Sequence, residues 1–142
     1  MKIVRIDHVS FTVAELERST RFYERLGFER FKDYVSAGPD AEEGTGTPGA
    51  EIEIQWLRHP EGETMIELLH YRDKSTGDSA HNSRVGAAHL CLCVEDVDSE
   101  YERLSGEGVT FVSPPHRDEH GVVWVYMRDP DGNVAELVQD PA

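Results

Sequence analysis

The chain says nearly the same thing twice, and this repetition constrains its fold more than any other feature. Asp7-His8-Val9-Ser10-Phe11-Thr12-Val13 returns as Ala88-His89-Leu90-Cys91-Leu92-Cys93-Val94, and each time a His opens an alternating pattern that a Val closes. A second matching pair ends the two halves. Arg58-His59-Pro60-Glu61-Gly62-Glu63-Thr64-Met65-Ile66-Glu67-Leu68 reads like Arg128-Asp129-Pro130-Asp131-Gly132-Asn133-Val134-Ala135-Glu136-Leu137, with one extra residue in the first. Internal self-similarity of this kind marks a duplicated structural unit. Two copies make a paired-module fold and not a solenoid, and each copy carries one strand His and one strand Glu.

Residues 4–13 alternate, with Val9, Phe11 and Val13 on one face and His8, Ser10 and Thr12 on the other, which predicts a half-buried strand. Residues 15–26 place Leu16, Phe22, Tyr23 and Leu26 at helical spacing, and Gly27 is a natural stop. A second strand is expected at 28–35. Residues 38–49 then read as a long loop rich in Gly, Pro and acid, a length that usually serves function or mobility. Strands at 51–57 and 64–71 flank a turn at Pro60-Glu61-Gly62. The polar stretch 73–84 reads as a linker.

The second unit repeats the order: strand 87–94, helix 97–104, short strand 109–112, a loop at 114–120, and strands 122–127 and 134–138 about the turn Asp129-Pro130-Asp131-Gly132. The expected fold is therefore α+β, one domain over 1–142 made of two tandem βαβββ modules, about 1–72 and about 85–142. Neither module has enough strands or apolar face to stand alone, so the two are expected to pair.

Bulk composition narrows the function. The chain carries 28 acidic against 14 basic residues, a formal −14 over 142 residues. Nucleic acid and anionic membrane surfaces both call for a basic patch, so neither is an expected partner. A mean hydropathy of −0.53 and the lack of any long apolar run fit a soluble protein. The N-terminus leads straight into a strand, and a cytoplasmic location is the default. Cys91 and Cys93 share a strand face too far apart for a relaxed disulfide, in keeping with a reducing compartment.

The His and the Glu of each unit recur in phase with the alternation. Taken singly, a strand His is more often a hydrogen-bonded structural residue and a strand Glu a solvated one. The double repetition changes that balance. Two copies related by a pseudo-twofold axis would bring equivalent residues together, so that His8, Glu67, His89 and Glu136 converge. Two imidazoles and two carboxylates make a plausible first shell for one divalent metal ion, Zn, Ni, Co, Mn or Fe(II).

These same residues carry a resemblance. The chain resembles the vicinal oxygen chelate superfamily, which takes in glyoxalase I, methylmalonyl-CoA epimerase, extradiol dioxygenases and the fosfomycin- and bleomycin-resistance proteins. The match rests on His8-Val9-Ser10-Phe11-Thr12-Val13, Phe22-Tyr23-Glu24-Arg25-Leu26-Gly27-Phe28, Ile66-Glu67-Leu68, His89-Leu90-Cys91-Leu92-Cys93-Val94, and Asp129-Pro130-Asp131-Gly132-Asn133 leading into Glu136-Leu137. It covers almost the whole chain. The resemblance implies two βαβββ modules, each curled into a half-barrel of mixed sheet around a metal site, with helices on the outer face. It places the metal ligands at His8, Glu67, His89 and Glu136, and it implies a homodimer acting on a small-molecule substrate.

The His-Glu-His-Glu set looks like that of bacterial-type glyoxalase I and of metal-dependent epimerases. In such members a cation polarises a substrate oxygen while a carboxylate moves the neighbouring carbon-bound proton. By resemblance Glu67 or Glu136 is ligand and base. The chain departs from glyoxalase I in one respect: Ser10 and Thr12 stand where that enzyme has an Arg for the glutathione carboxylate. An isomerase, epimerase or lyase acting on another hydroxyacyl or oxo substrate therefore fits better than lactoylglutathione chemistry.

Parity along 51–57 suggests a further group. If Ile52, Ile54 and Trp56 pack against a helix, then Glu51, Glu53 and Gln55 point into the cavity, with Glu53 a candidate second acid/base. Val123, Val125 and Met127 would form an apolar wall on the matching face. Cys91 and Cys93 read as small pocket residues, since nothing suggests an activated thiolate. His116-Arg117-Asp118-Glu119-His120 reads as a loop at the pocket mouth. Two other classes stay open: an Fe(II)-dependent dioxygenase, and a metal-free small-molecule or antibiotic-binding resistance protein, against which the complete quartet speaks.

Overall fold

The computed structural model describes residues 7–45, 47–72, 88–117 and 121–141. The chain divides into two compact units, Met1–Gly77 and Asp78–Ala142. The linker expected at 73–84 lies outside the described residues.

The first unit runs β1 (His8–Thr12), α1 (Leu16–Arg25), β2 (Glu29–Ala37), α2 (Pro39–Thr45), β3 (Glu51–Arg58) and β4 (Met65–Tyr71). Its sheet has the order β1-β4-β3-β2, with β1 parallel to β4 and the other neighbours antiparallel. The helix α1 buries Phe22 and Tyr23, and the Tyr23 ring meets those of Phe11, Phe22 and Phe28. Leu57, Ile66 and Leu68 complete this core, none more than 1% exposed. Each such side chain contributes on the order of 1.5–3 kcal/mol by leaving water. α1 stops at Gly27, which takes a positive φ of 92° while Phe28 N–H donates back to Tyr23 O at 3.2 Å. A side chain at Gly27 would also meet His59, with a Cβ only 2.9 Å from Nε2.

The stretch read as a loop contains α2. Pro39 opens it, with Asp40 and Glu42 in the first turn. Proline's fixed φ suits the first helical position, and acids there oppose the helix dipole. Ala41 of α2 joins Ala50, Ile52 and Ile54 in a cluster against which Trp56, Leu69 and Tyr71 pack. The first sheet therefore has apolar cover on both faces.

This arrangement reverses the parity expected for β3. Trp56, Ile54 and Ile52 stand opposite Glu67, Leu69 and Tyr71, and so share the face of Glu67. Leu57, Gln55 and Glu53 stand opposite Ile66, Leu68 and His70, on the α1 face. Gln55 is buried there because its Nε2 donates to Lys32 O at 3.1 Å and to Trp56 O at 3.0 Å.

The second unit runs β5 (His89–Cys93), α3 (Val97–Gly106), β6 (Thr110–Phe111), β7 (His116–Arg117), β8 (Val123–Arg128) and β9 (Val134–Gln139). Its order is β5-β9-β8-β6, with β7 also on β8 and β5 parallel to β9. The two-residue strands β6 and β7 take the place that β2 fills in the first unit. β7 lies within the stretch expected to be a loop. α3 is capped by Asp96, whose Oδ1 accepts from Ser99 N at 3.1 Å. Val97, Leu104, Val123, Val125, Met127, Ala135 and Leu137 form the core. Val123, Val125 and Met127 thus pack inward and do not line a cavity on the Glu136 face, where β8 presents Trp124 and Tyr126 instead.

The chain is thus α+β with two open mixed sheets, in the βαβββ order of the duplicated sequence. Among the described residues no helix is long and apolar enough to cross a membrane.

Candidate metal centre

In each unit the parallel pairing of the first and last strands brings a His and a Glu to one face. Ser10 stands opposite Glu67 and Cys91 opposite Glu136, and the His two positions earlier on the strand points the same way. His8 Nε2 lies 3.6 Å from Glu67 Oε2, and His89 Nε2 lies 2.9 Å from Glu136 Oε2. The carboxylates are tucked in, at 14% and 15% side-chain exposure, while the imidazoles stand open at 36% and 40%. The structure thus joins His8 to Glu67 and His89 to Glu136, each pair within its own unit. Among the described residues, no group of three or more His, Cys, Asp or Glu gathers closely enough to hold a metal ion.

An aromatic ring braces each imidazole. Trp56 stands opposite Glu67 on β3, and its ring meets His8 edge-on at 4.8 Å and 78°. Tyr126 stands opposite Glu136 on β8, and its ring meets His89 at 5.3 Å and 87°. Such edge-to-face contacts hold a ring in orientation. Tyr126 escaped the sequence reading, and Trp56 was assigned to the wrong face. The repeat held the signal, since the two aromatics match once the extra residue of the first turn is allowed for.

The groups around the two carboxylates differ. Ser10 Oγ donates to Glu67 Oε2 at 2.6 Å, a short charge-assisted bond. His8 Nδ1 lies 3.2 Å from Asp7 Oδ2, which leaves Nε2 turned toward Glu67. In the second unit Cys91 replaces Ser10 and Tyr126 replaces Trp56. Burial first, and then the neighbouring Glu136 charge, pushes the Cys91 thiol up to about 11, so it stays neutral at pH 7 and is no activated thiolate. The same two causes, in the same order, raise the Tyr126 phenol.

Glu53 does not belong to this face. It lies opposite His70 on the α1 side and is ion-paired to Arg72, whose guanidinium holds its carboxyl below the usual range. It borders an open cleft of about 580 Å³ with Leu16, Glu17, Asp33 and His70. The expectation that it faces Glu67 fails because α2 supplies apolar cover on the Glu67 side, so the apolar residues of β3 did not mark the α1 side. His116 stands opposite Trp124, with ring centroids 4.5 Å apart, on the face of Glu136. Arg117 turns the other way and pairs with Asp98 at 2.9 Å. His120 lies outside the described residues.

In donor type each pair suits a divalent first-row cation, with an imidazole nitrogen and a carboxylate oxygen on one sheet face, partly open to solvent.

Comparison with known proteins identifies the family and the fold. The model of the Glyoxalase/Bleomycin resistance protein/Dioxygenase superfamily matches residues 5–137. A probable lactoylglutathione lyase of Synechocystis sp. is 30% identical, over 93% of this chain and 92% of that protein. The mitochondrial methylmalonyl-CoA epimerase of Dictyostelium discoideum is 28% identical, over 95% of this chain and 78% of its own. The crystal structure of a glyoxalase family protein from Bacillus cereus superposes with a TM-score of 0.86 at 26% identity, covering 100% of this chain and 97% of that one.

Proposed function

Because the chain belongs to the Glyoxalase/Bleomycin resistance protein/Dioxygenase superfamily, we propose that it is a metal-dependent isomerase, epimerase or lyase. It would move a proton at the carbon next to an oxygen of a small hydroxyacyl or oxo substrate. Relatives named as a lactoylglutathione lyase and as epimerases support a glyoxalase- or epimerase-like enzyme. The observation that carries the finer reading is the matched pairing of His8 with Glu67 and of His89 with Glu136 on equivalent strands.

His8, Glu67, His89 and Glu136 would hold the cation. When bound, it supplies Lewis-acid polarisation of a substrate oxygen. The protein's own part is proton movement. A Glu67 or Glu136 carboxylate oxygen takes the proton from the substrate carbon and returns it to the same or a neighbouring centre. Both carboxylates are mostly shielded from water, which favours transfer to substrate over loss to solvent. Trp56 and Tyr126 keep the imidazoles turned toward them. Ser10 and Thr12 stand where the resemblance to glyoxalase I would call for an Arg, and Ser10 commits its hydroxyl to Glu67, which supports a substrate other than a glutathione adduct.

Elemental analysis of protein purified without chelator, followed by activity titration with divalent cations, tests this reading. Bound metal, with solvent deuterium entering the substrate during turnover, is the expected outcome. Oxygen consumption during turnover would move the protein to the dioxygenases. Full ligand binding by protein that takes up no metal would make it a binding protein.

A further inference from the structure

Among the described residues β5 ends its sheet, and its side chains alternate: His89, Cys91 and Cys93 are exposed, Leu90 and Leu92 half-buried. Cys91 stands opposite Glu136 and Cys93 opposite Val138, so both thiols lie on the Glu136 face, one pleat apart. These are the chain's two cysteines. The first unit carries hydroxyls at the same two places, Ser10 and Thr12 of β1, with the same pattern of exposure. The fold thus accepts small polar side chains here without calling for sulfur.

Spacing decides what two sulfurs can do in this position. Residues two apart on a strand are ~6.8 Å apart. A relaxed disulfide needs Cβ atoms ~3.5–4.5 Å apart, joined through a bond of ~2.05 Å. The pair therefore stays a dithiol and does not close on itself. Side chains on a strand lean along it in either direction, so Cys91 and Cys93 can lean toward each other across the gap. A single atom between them adds two bonds, each near the ~2.3 Å that a thiolate makes to zinc, and spans what remains. Sulfur is a soft donor, and it selects a soft atom over the ions that suit the neighbouring carboxylate and imidazole.

We propose that Cys91 and Cys93 form a chelating dithiol on the exposed face of β5, a site for one thiophilic atom with two exchangeable positions, the class to which monosubstituted trivalent arsenicals belong. With phenylarsine oxide the step is a condensation. Two S–H bonds and the arsenic–oxygen bonding break, two As–S bonds form, and the thiol protons leave with the oxygen as water. Arsenic stays trivalent and neither sulfur is oxidised. The second sulfur binds intramolecularly, so the pair holds the atom about 10²–10⁴ times more tightly than one thiol alone. Because Cys91 stands opposite Glu136, the bridged atom sits on the carboxylate's own face. The site is independent of the metal reading above, which counts neither sulfur among its ligands.

The test titrates the reduced full chain, freed of reductant, with phenylarsine oxide and counts the remaining thiols with a chromophoric disulfide. One equivalent should remove both thiols together, with a mass gain of one reagent less one water. An excess of 2,3-dimercaptopropanol should release the adduct, and the same excess of a monothiol should not. Cys91→Ser and Cys93→Thr copy the residues that the first unit holds at these places. Each should weaken binding about 10²–10⁴-fold, in protein whose thermal unfolding midpoint matches wild type. Should either variant fail to fold, the wild-type stoichiometry decides alone. Uptake of two equivalents per chain, thiols that stay titratable at one equivalent, or single-cysteine variants that bind as tightly as wild type would overturn the proposal.

Discussion

His59 does with a ring nitrogen what Asp129 does with a carboxylate. His59 Nδ1 accepts the backbone N–H of Glu61 at 3.2 Å, and Asp129 Oδ1 accepts that of Asp131 at 2.9 Å, at matching places in the two repeated turns. The two turns nevertheless differ in strength. Asp129 is buried and also accepts from Asn133 N and Asn133 Nδ2, both at 2.8 Å.

Asp129→Ala should therefore cost roughly 1–3 kcal/mol, because it strands buried donors, and His59→Ala roughly 0.5–1.5 kcal/mol. Urea denaturation compares them at constant slope. A larger loss at His59 than at Asp129 would contradict the assignment.

Burial raises the Asp129 carboxyl above its ordinary value, opposed by the hydrogen bonds from Asn133 and Asp131. The folded chain thus keeps this proton to a higher pH than the unfolded chain does. That contribution to stability is complete below about pH 3.9 and is lost as the pH rises through the folded value. The stability of wild type relative to Asp129→Asn should fall across this window. A difference that stays constant with pH would show an unshifted carboxyl.

Glu67→Gln and Glu136→Gln should both weaken metal affinity, since each removes a negative charge from the donor set. With excess cation restoring occupancy, the variant lacking the proton-transfer base should stay ~10²–10⁴-fold slow while the other recovers. Glu53→Gln should turn over at the wild-type rate, because Glu53 lies on the opposite face and is held by Arg72. A slow Glu53→Gln protein that retains its fold would reopen the role denied to it here.

A homodimer is expected from the family resemblance, and β2 offers a surface for it: Phe31, Tyr34 and Val35 are exposed at 54%, 40% and 53%. Sedimentation at micromolar concentration should give a species of twice the chain mass, and Phe31→Ser with Val35→Ser should shift it toward the monomer. A wild-type monomer under those conditions would end the expectation.

Much of this was legible in the sequence. Two in-phase His–Glu repeats announced both βαβββ units and placed His8 and Glu67 on one face, because alternation on β1 and β4 is unambiguous when one side packs on α1. β3 was misread for the same kind of reason. Ile52, Ile54 and Trp56 face α2 while Leu57 faces α1, and a strand covered on both sides loses the contrast that parity needs. The helix α2 was hidden by its Gly, Pro and acid content, although Pro39 followed by Asp40 and Glu42 is a helix-start signature. β7 is a two-residue strand after Pro114-Pro115, too short for any periodicity to show.

The parallel pairing of β1 with β4 has a consequence for how the protein is made. Ser10 and Glu67 are 57 residues apart in sequence, so their hydrogen bond, like the rest of the β1–β4 ladder, closes a long loop. Such closure is slow and follows the local pairings of β2, β3 and β4. On a ribosome, a nascent first unit has its imidazole from the start and lacks its carboxylate until the final strand emerges. A chain stalled or clipped before β4 therefore displays His8 without the carboxylate that faces it in the completed unit.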